Sequence, residues 1–294
     1  MELSSLLWLF HALITLIVCV SGNHTPNAAL SVCIYNGPGT ADVEDYKAAL
    51  MQVLPDNTSF RYLGPDAVIS NEFLEYCDLW VMPGGADKPY CEALNGQGNK
   101  NLRAFIESGG RYYGTCAGAY YAADNLLFDE QNPTRMINEP RELKFFPGQA
   151  RGPLFVPFPE GGSCPALIAL SAYADHGGDP DQVMPDNNFT AYYYGGPFFD
   201  YPRKKDKGCK VLAYYPISKS LEKTLYLRPE MAAYWVKNPP ALAAILSIKI
   251  GKGHAILTGV HLENTTYDGR NNGLPCNREK MLRFILKEMG LPTK

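Results

Sequence analysis

Apolar residues fall into short continuous runs, and most runs end in glycine or proline. Ala29 to Tyr35 is the first and breaks at Asn36-Gly37-Pro38-Gly39, the pattern of a strand covered on both faces that enters a loop. From about Asp42 to Leu54 the period changes, with Val43, Tyr46, Leu50 and Val53 recurring on one helical face. Phe60 to Leu63 predicts a second strand, and Asn71 to Tyr76 a short helical stretch. Asp78 to Met82 is a third strand that runs straight into Pro83-Gly84-Gly85-Ala86-Asp87. Lys100 to Ser108, with Leu102, Phe105 and Ile106 apolar and Gly109-Gly110 behind it, predicts a helix. A strand beginning at Gly110 and an Ala-rich helix ending near Ala123 follow, joined at Gly114-Thr115-Cys116-Ala117-Gly118.

Strands alternating with helices at this spacing predict an α/β fold, a flavodoxin-like parallel sheet with helices on both faces. In such sheets ligands and chemistry collect at the carboxyl ends of the strands, and both glycine-rich turns follow strands. From about Gln131 to Asp206 the chain becomes dense in Pro, Gly and aromatics, which suits short strands and ordered loops packed over the sheet edge. Ala241 to Ile250 and His254 to Val260, separated by Gly251-Lys252-Gly253, predict a β-hairpin, and Arg278 to Met289 a closing helix.

The chain has 294 residues, of which 46% are hydrophobic and 19% charged, so it suits a folded globular protein. A net charge of −3, without a long Lys/Arg run, argues against nucleic acid as a partner. Leu3 to Val20 is apolar and precedes the small residues Ser21-Gly22, so residues 1–22 read as a secretory signal and 23–294 as a single domain. Glu2 in place of a basic residue, and a length that could serve as an anchor, speak against cleavage. Sequons at Asn23, Asn57, Asn188 and Asn264 fit a secreted or luminal chain with no membrane contact after cleavage, Asn57 and Asn188 being the preferred glycan sites.

Eight cysteines are present. With Cys19 in the leader and Cys116 set aside, Cys33, Cys77, Cys91, Cys164, Cys209 and Cys276 could form three disulfides, although Cys33 in a core strand also suits a buried thiol. Neither a CxxC pair nor a Cys/His cluster of zinc spacing occurs, so neither a metal nor another cofactor is expected.

Gly114, Cys116 and Gly118 at a strand-to-helix join have the form of a nucleophile elbow with cysteine in place of serine. Glycines relieve crowding in so sharp a turn, and a helix N-terminus favours thiolate. Taken alone, the same five residues also suit a buried structural cysteine. A nucleophile needs a base and the base an orienting group. Among five histidines, His261 stands at a predicted strand end with Glu263 two residues on, where alternation turns both side chains to one face.

Together, Gly114-Thr115-Cys116-Ala117-Gly118 and the late His261-Leu262-Glu263 resemble the class I glutamine amidotransferase superfold. More closely, the chain resembles the family named after the N-terminal domain of eukaryotic biotin-protein ligases. Val81 to Asp87 with Pro89-Tyr90-Cys91, the elbow continued through Ala122, Glu142-Leu143 with Phe146-Pro147-Gly148, Tyr194-Gly195-Gly196-Pro197, and Gly259 to Glu263 carry that likeness along the whole mature chain.

The resemblance implies Cys116 as nucleophile, His261 as general base, Glu263 as its orienting partner, and the N–H groups of Gly85 and Ala117 as an oxyanion hole. It places Tyr120 and Asp87 at the substrate pocket. The ligase's Gly-rich adenylate loop and separate catalytic domain have no counterpart here, so biotinylation is not expected. Where amidotransferases carry glutamine four residues after the nucleophile, this chain has Tyr120. The resulting expectation is a cysteine-dependent hydrolase of a small-molecule or peptide amide, with a non-catalytic ligand-binding or redox-sensing module as the alternative.

Overall fold

The computed structural model describes residues 29–130, 132–155, 163–170, 188–200, 208–215, 242–264 and 277–294. The leader at 1–22, Asn23 and Cys276 lie outside them. The first half of the chain alternates as expected: β1 (Ser31–Tyr35), α1 (Val43–Val53), β2 (Ser59–Leu63), α2 (Pro65–Ile69), β3 (Leu79–Met82), α3 (Asp87–Leu94), α4 (Gln97–Ser108), β4 (Arg111–Thr115) and α5 (Ala117–Tyr121). A 3-10 turn covers Glu72–Glu75. β1 pairs in parallel with β2 and β3, β3 with β4, and β4 with the late strand β13 (Gly253–Thr258).

Uninterrupted apolar strands are required here because both faces are covered. Val32 and Ile34 of β1 with Leu79 and Val81 of β3 pack with Leu50 and Val53 of α1 and Leu282 and Ile285 of α6 (Arg278–Glu288). Cys33, Tyr35, Trp80 and Met82, pointing the other way, join Tyr90 of α3 and Leu102 and Phe105 of α4. Burying a large aliphatic or aromatic side chain contributes about 1.5–3 kcal/mol, so a polar residue at any of these alternating positions would be costly on either face. Helix α3 has no apolar run to announce it, since Asp87, Lys88 and Pro89 occupy its first turn, where proline is tolerated.

The aromatic-rich segment does not sit over the sheet edge; it extends the sheet. β12 (Leu242–Ile250) and β13 form the expected hairpin. Beyond β12 the order continues through β10 (Phe198–Asp200), β7 (Phe146–Gly152) and β5 (Ala123–Phe128) to β6 (Ile137–Pro140). β12 also pairs with β11 (Cys209–Tyr215), which leads through β8 (Cys164–Leu170) to β9 (Asn188–Tyr193). In this half only the β5–β7 pair is parallel among the described residues. The aromatics are core: Phe146 meets Phe199 edge-on at 5.5 Å, and Phe155 meets Tyr193 at 4.9 Å.

The expected set of three disulfides is not found among the described residues. Cys33, Cys77, Cys91 and Cys164 are unbridged thiols. The sheet separates Cys164, in the core on one face, from Cys33 and Cys77 on the other, and the Cys77 thiol donates to Leu79 O at 3.4 Å. Burial pushes the Cys91 thiol up to about 11 and that of Cys164 to about 12, leaving both protonated at neutral pH.

Candidate functional site

β4 delivers the chain to Cys116, and α5 begins one residue later. Cys116 has φ 50° and ψ −108°, a conformation that costs a residue with a Cβ about 1–3 kcal/mol. The flanking glycines allow it. A Cβ on Gly118 would lie 2.2 Å from the Met82 carbonyl oxygen, and one on Gly114 would lie 2.7 Å from that of Gly118. The backbone is pinned on both sides, Cys116 N–H to Thr258 O at 2.9 Å and Gly118 N–H to Pro83 O at 3.0 Å. Helix α5 stops at Tyr121 rather than near Ala123, because the chain turns there into β5. Five residues supply little macrodipole, and the positive charge available to Cys116 comes instead from His261.

His261 is not in the strand. β13 ends at Thr258, and the bend after it brings His261 and Glu263 together, where strand alternation had been expected to do so. The His261 N–H donates to Tyr192 O at 2.8 Å, which ties the bend to β9. His261 Nδ1 lies 2.6 Å from Glu263 Oε1, so the carboxylate holds a proton on that nitrogen. Nε2 is left buried, with Cys116 beside the ring. Burial by itself lowers the His261 pKa, but the Glu263 charge, and after it the neighbouring Cys116, outweigh burial and hold it well above the usual histidine value. The Cys116 thiol points at Tyr194 O, 3.4 Å away.

The glycine turn after β3 is clamped by the loop between β1 and α1. Ala41 N–H donates to Gly84 O at 3.0 Å and Ala86 N–H to Gly39 O at 2.8 Å. Gly85, at φ 132°, has no room for a side chain, since a Cβ would sit 2.0 Å from Gly39 O. The N–H groups of Gly85 and Ala117 donate to no backbone carbonyl among the described residues. Both residues line the cavity that holds Cys116.

Residues 30–291 match the family of the biotin-protein ligase N-terminal domain. The chain belongs to that family. It is 28% identical over 273 residues to a biotin-protein ligase of Schizosaccharomyces pombe, which covers 89% of this chain but only 38% of the ligase. An uncharacterized protein of Chlamydia muridarum is 30% identical over 203 residues, 66% of each chain. PurLQS from Thermotoga maritima superposes with a TM-score of 0.51 at 13% identity, covering 88% of this chain and 99% of the other, a likeness of fold. The fold is class I glutamine amidotransferase-like.

In this member of the family the cavity has a volume of about 360 Å³. Tyr120 lines it and is only 3% exposed; its hydroxyl donates to Gly195 O at 3.2 Å and its ring meets Phe128 edge-on at 5.8 Å. Asp87 also lines it, but its carboxylate is paired with the buried Arg141 at 2.7 Å. Burial raises the Asp87 pKa above the ordinary carboxylate value against the pull of Arg141. Asn264 lines the cavity too. No group of three His, Cys, Asp or Glu is placed to hold a metal among the described residues.

Tyr46 is the residue the sequence reading passed over, having counted it only as part of an apolar helix face. Its hydroxyl accepts the Gly84 N–H at 2.7 Å. Burial, and then the charge of Glu263, hold its pKa well above the usual value, so one phenol links the glycine turn to the His261–Glu263 pair. A tyrosine on the turn-facing end of an otherwise aliphatic stripe was the available signal. His254 lies elsewhere. It bonds Ser247 Oγ at 2.7 Å, and Ser247 in turn bonds Glu288 at 2.9 Å. Of the preferred glycan sites, Asn57 is exposed and Asn188 opens β9.

Proposed function

We propose that this domain is a cysteine-dependent amide hydrolase. The observation that carries the reading is the strained Cys116 sharing one cavity with the His261–Glu263 pair and with two N–H groups that no backbone carbonyl occupies. Sulfur adds to the amide carbonyl, and the oxyanion takes the N–H groups of Gly85 and Ala117. His261 then protonates the departing amine from Nε2, and afterwards accepts a proton from the water that releases the acyl group. The chain spans 38% of the ligase, so ligation is not carried over with the likeness. The apolar leader and the exposed Asn57 support a secreted, glycosylated protein.

Free glutamine is expected to be a poor substrate. Tyr120 offers a ring whose hydroxyl is already bonded to Gly195, and an unpaired amino-acid head group loses about 1–3 kcal/mol per missing hydrogen bond. A second reading, favoured by the name of the yeast relative, is that the cavity binds biotin or a biotinylated group without turning it over. Glutamine, γ-glutamyl amides, peptide amides and biotinyl-lysine should be offered to wild type and to Cys116→Ala, with intact mass and product release as readouts. Acyl-enzyme on the wild type alone is the expected result. Equal turnover by both chains would refute the thiol mechanism, and binding of biotinyl-lysine without turnover would favour the second reading.

A further inference from the structure

We infer that the edge of the sheet opposite Cys116 carries a second binding site, a cleft for a small phosphate monoester held by Arg111, Lys249, Lys252 and His254. The cleft has a volume of about 460 Å³ and is lined by these four residues together with Lys210, Glu288 and the turn at Gly251 and Gly253. That is the size of a small-molecule site rather than of a bare ion. Arg111 opens β4 and Cys116 follows its end, so strand geometry alone puts the two about 16 Å apart. Binding here stands independently of the chemistry at Cys116.

The strand register assembles the cations. Lys249 of β12 lies opposite His254 of β13, and His254 opposite Arg111 of β4, so three side chains from adjacent strands share one face. Ser247, two residues before Lys249, and its cross-strand neighbour Lys210 of β11 lie on that face as well. Alternation makes it the face of Ile245, Ile256 and Tyr113, which pack in one core with α6. The end of α6 reaches the row: Glu288 lies 3.5 Å from Lys210, and Arg111 Nε donates to Met289 O at 2.8 Å. Arg111, Lys249 and Lys252 make no ion pair among the described residues. Burial lowers the Arg111 pKa, and the charge that opposes this is Asp78, which accepts the Ser31 N–H at 2.8 Å. A half-buried guanidinium and two lysines without a carboxylate are a charge imbalance that an anion relieves, and the guanidinium fork matches phosphate oxygens.

His254 points to the kind of anion. It is only 8% exposed. Ser247 Oγ donates to Glu288 Oε1 at 2.9 Å, so it accepts from His254 Nε2 at 2.7 Å, which fixes the ring as the tautomer with its proton on Nε2. Nδ1 therefore carries a lone pair, and it makes no hydrogen bond among the described residues. Burial first, then Lys249, Arg111 and Lys210 against the pull of Glu288, lower the His254 pKa to about 4, so the lone pair persists at neutral pH. A bare acceptor among cations suits an anion that brings its own proton. A phosphate monoester does so, since its second ionisation lies near pH 6: one oxygen donates to Nδ1 while the others accept from Arg111 and the lysines. Sulfate and carboxylates have no proton to give at neutral pH.

Isothermal titration calorimetry with glycerol phosphate, inorganic phosphate and sulfate tests the site. At neutral pH glycerol phosphate should bind more tightly than inorganic phosphate, and both more tightly than sulfate. Lys249→Gln and Lys252→Gln, at exposed positions, should each weaken glycerol phosphate about two- to fivefold. Sulfate should gain about threefold or more when the pH is lowered to about 5.5, where the bound dianion lets His254 take a proton on Nδ1, and His254→Gln should abolish that gain. Absence of glycerol phosphate binding at millimolar concentration, or an affinity untouched by either lysine substitution, would overturn the inference. So would glycerol phosphate binding more weakly than inorganic phosphate, sulfate matching phosphate at neutral pH, or an equal acid gain for sulfate in wild type and His254→Gln.

Discussion

Replacing Glu263 by Gln preserves the shape beside His261 and removes the charge. Glu263 Oε1 is 2.6 Å from His261 Nδ1 and is the foremost of the groups that raise its pKa against the opposing effect of burial. The neutral amide of glutamine should therefore let the His261 pKa fall. With only Cys116 left to oppose burial, less of His261 should be charged at neutral pH. Cys116 then has less positive charge beside it, so iodoacetamide alkylation at neutral pH should slow by about tenfold or more. Stability should change in a matching way. A histidine whose folded pKa is raised contributes stability that is fully present below its unfolded value of about 6.5 and is lost as pH rises through the folded value. Wild type should therefore lose stability on the alkaline side of neutrality, and Glu263→Gln should lack that decline. Alkylation rates across pH, read by peptide mass spectrometry, and urea unfolding at the same pH values measure both effects. An unchanged alkylation profile in Glu263→Gln would show that the pair does not govern Cys116.

Tyr46→Phe removes the acceptor of the buried Gly84 N–H and should cost about 1–3 kcal/mol in urea unfolding, with slower Cys116 alkylation as the turn loosens; full stability with unchanged alkylation would deny Tyr46 a positioning role. His254, which burial lowers to about 4, stays neutral in the fold while the unfolded chain takes a proton below about 6.5, so stability should fall by about 3 kcal/mol as pH drops across that window. His254→Gln should flatten this acid limb, and a limb that persists would assign it to other groups. Expression in a eukaryotic secretory host should give a chain beginning near Asn23 whose mobility shifts on glycosidase digestion; an intact Met1 and no shift would remove the secreted reading.

The parallel half of the fold was legible because its strands are buried on both faces and its loops need glycine. Ala29 to Tyr35 could be read as a strand, and Gly84-Gly85 and Gly114 to Gly118 as tight turns, since each reflects a constraint local to a few residues. The antiparallel half was not legible at the level of pairing. Phe146 and Phe199 are partners across neighbouring strands, yet 52 residues of chain separate them, and no periodicity encodes which distant strand a short aromatic run will meet. The three site residues could be named from motif order, while the means that brings two of them together could not. His261 and Glu263 converge through a bend fixed by Tyr192 of β9, a contact invisible to alternation. Tyr46 was hidden for a related reason: a tyrosine that completes an apolar stripe reads the same whether or not its hydroxyl has a task.

The same distinction between local and distant constraint bears on whether the elbow is used or merely retained. A binding pocket lined by Tyr120, Phe128 and Leu126 needs no residue with a Cβ at φ 50°, and glycine at position 116 would satisfy the backbone there without strain. Keeping cysteine costs about 1–3 kcal/mol. That cost is supported by two glycines whose replacement would bring a Cβ to within 2.2 Å and 2.7 Å of backbone oxygens. The neighbouring Gly85 is equally intolerant, and its N–H, with that of Ala117, is left without a backbone acceptor among the described residues. Unpaired donors and a strained thiol are each unfavourable in the resting fold. Both become favourable when an acyl group is bonded to the sulfur and its oxygen lies between the two N–H groups, which is why the arrangement argues for chemistry at Cys116 more strongly than the volume of the cavity does.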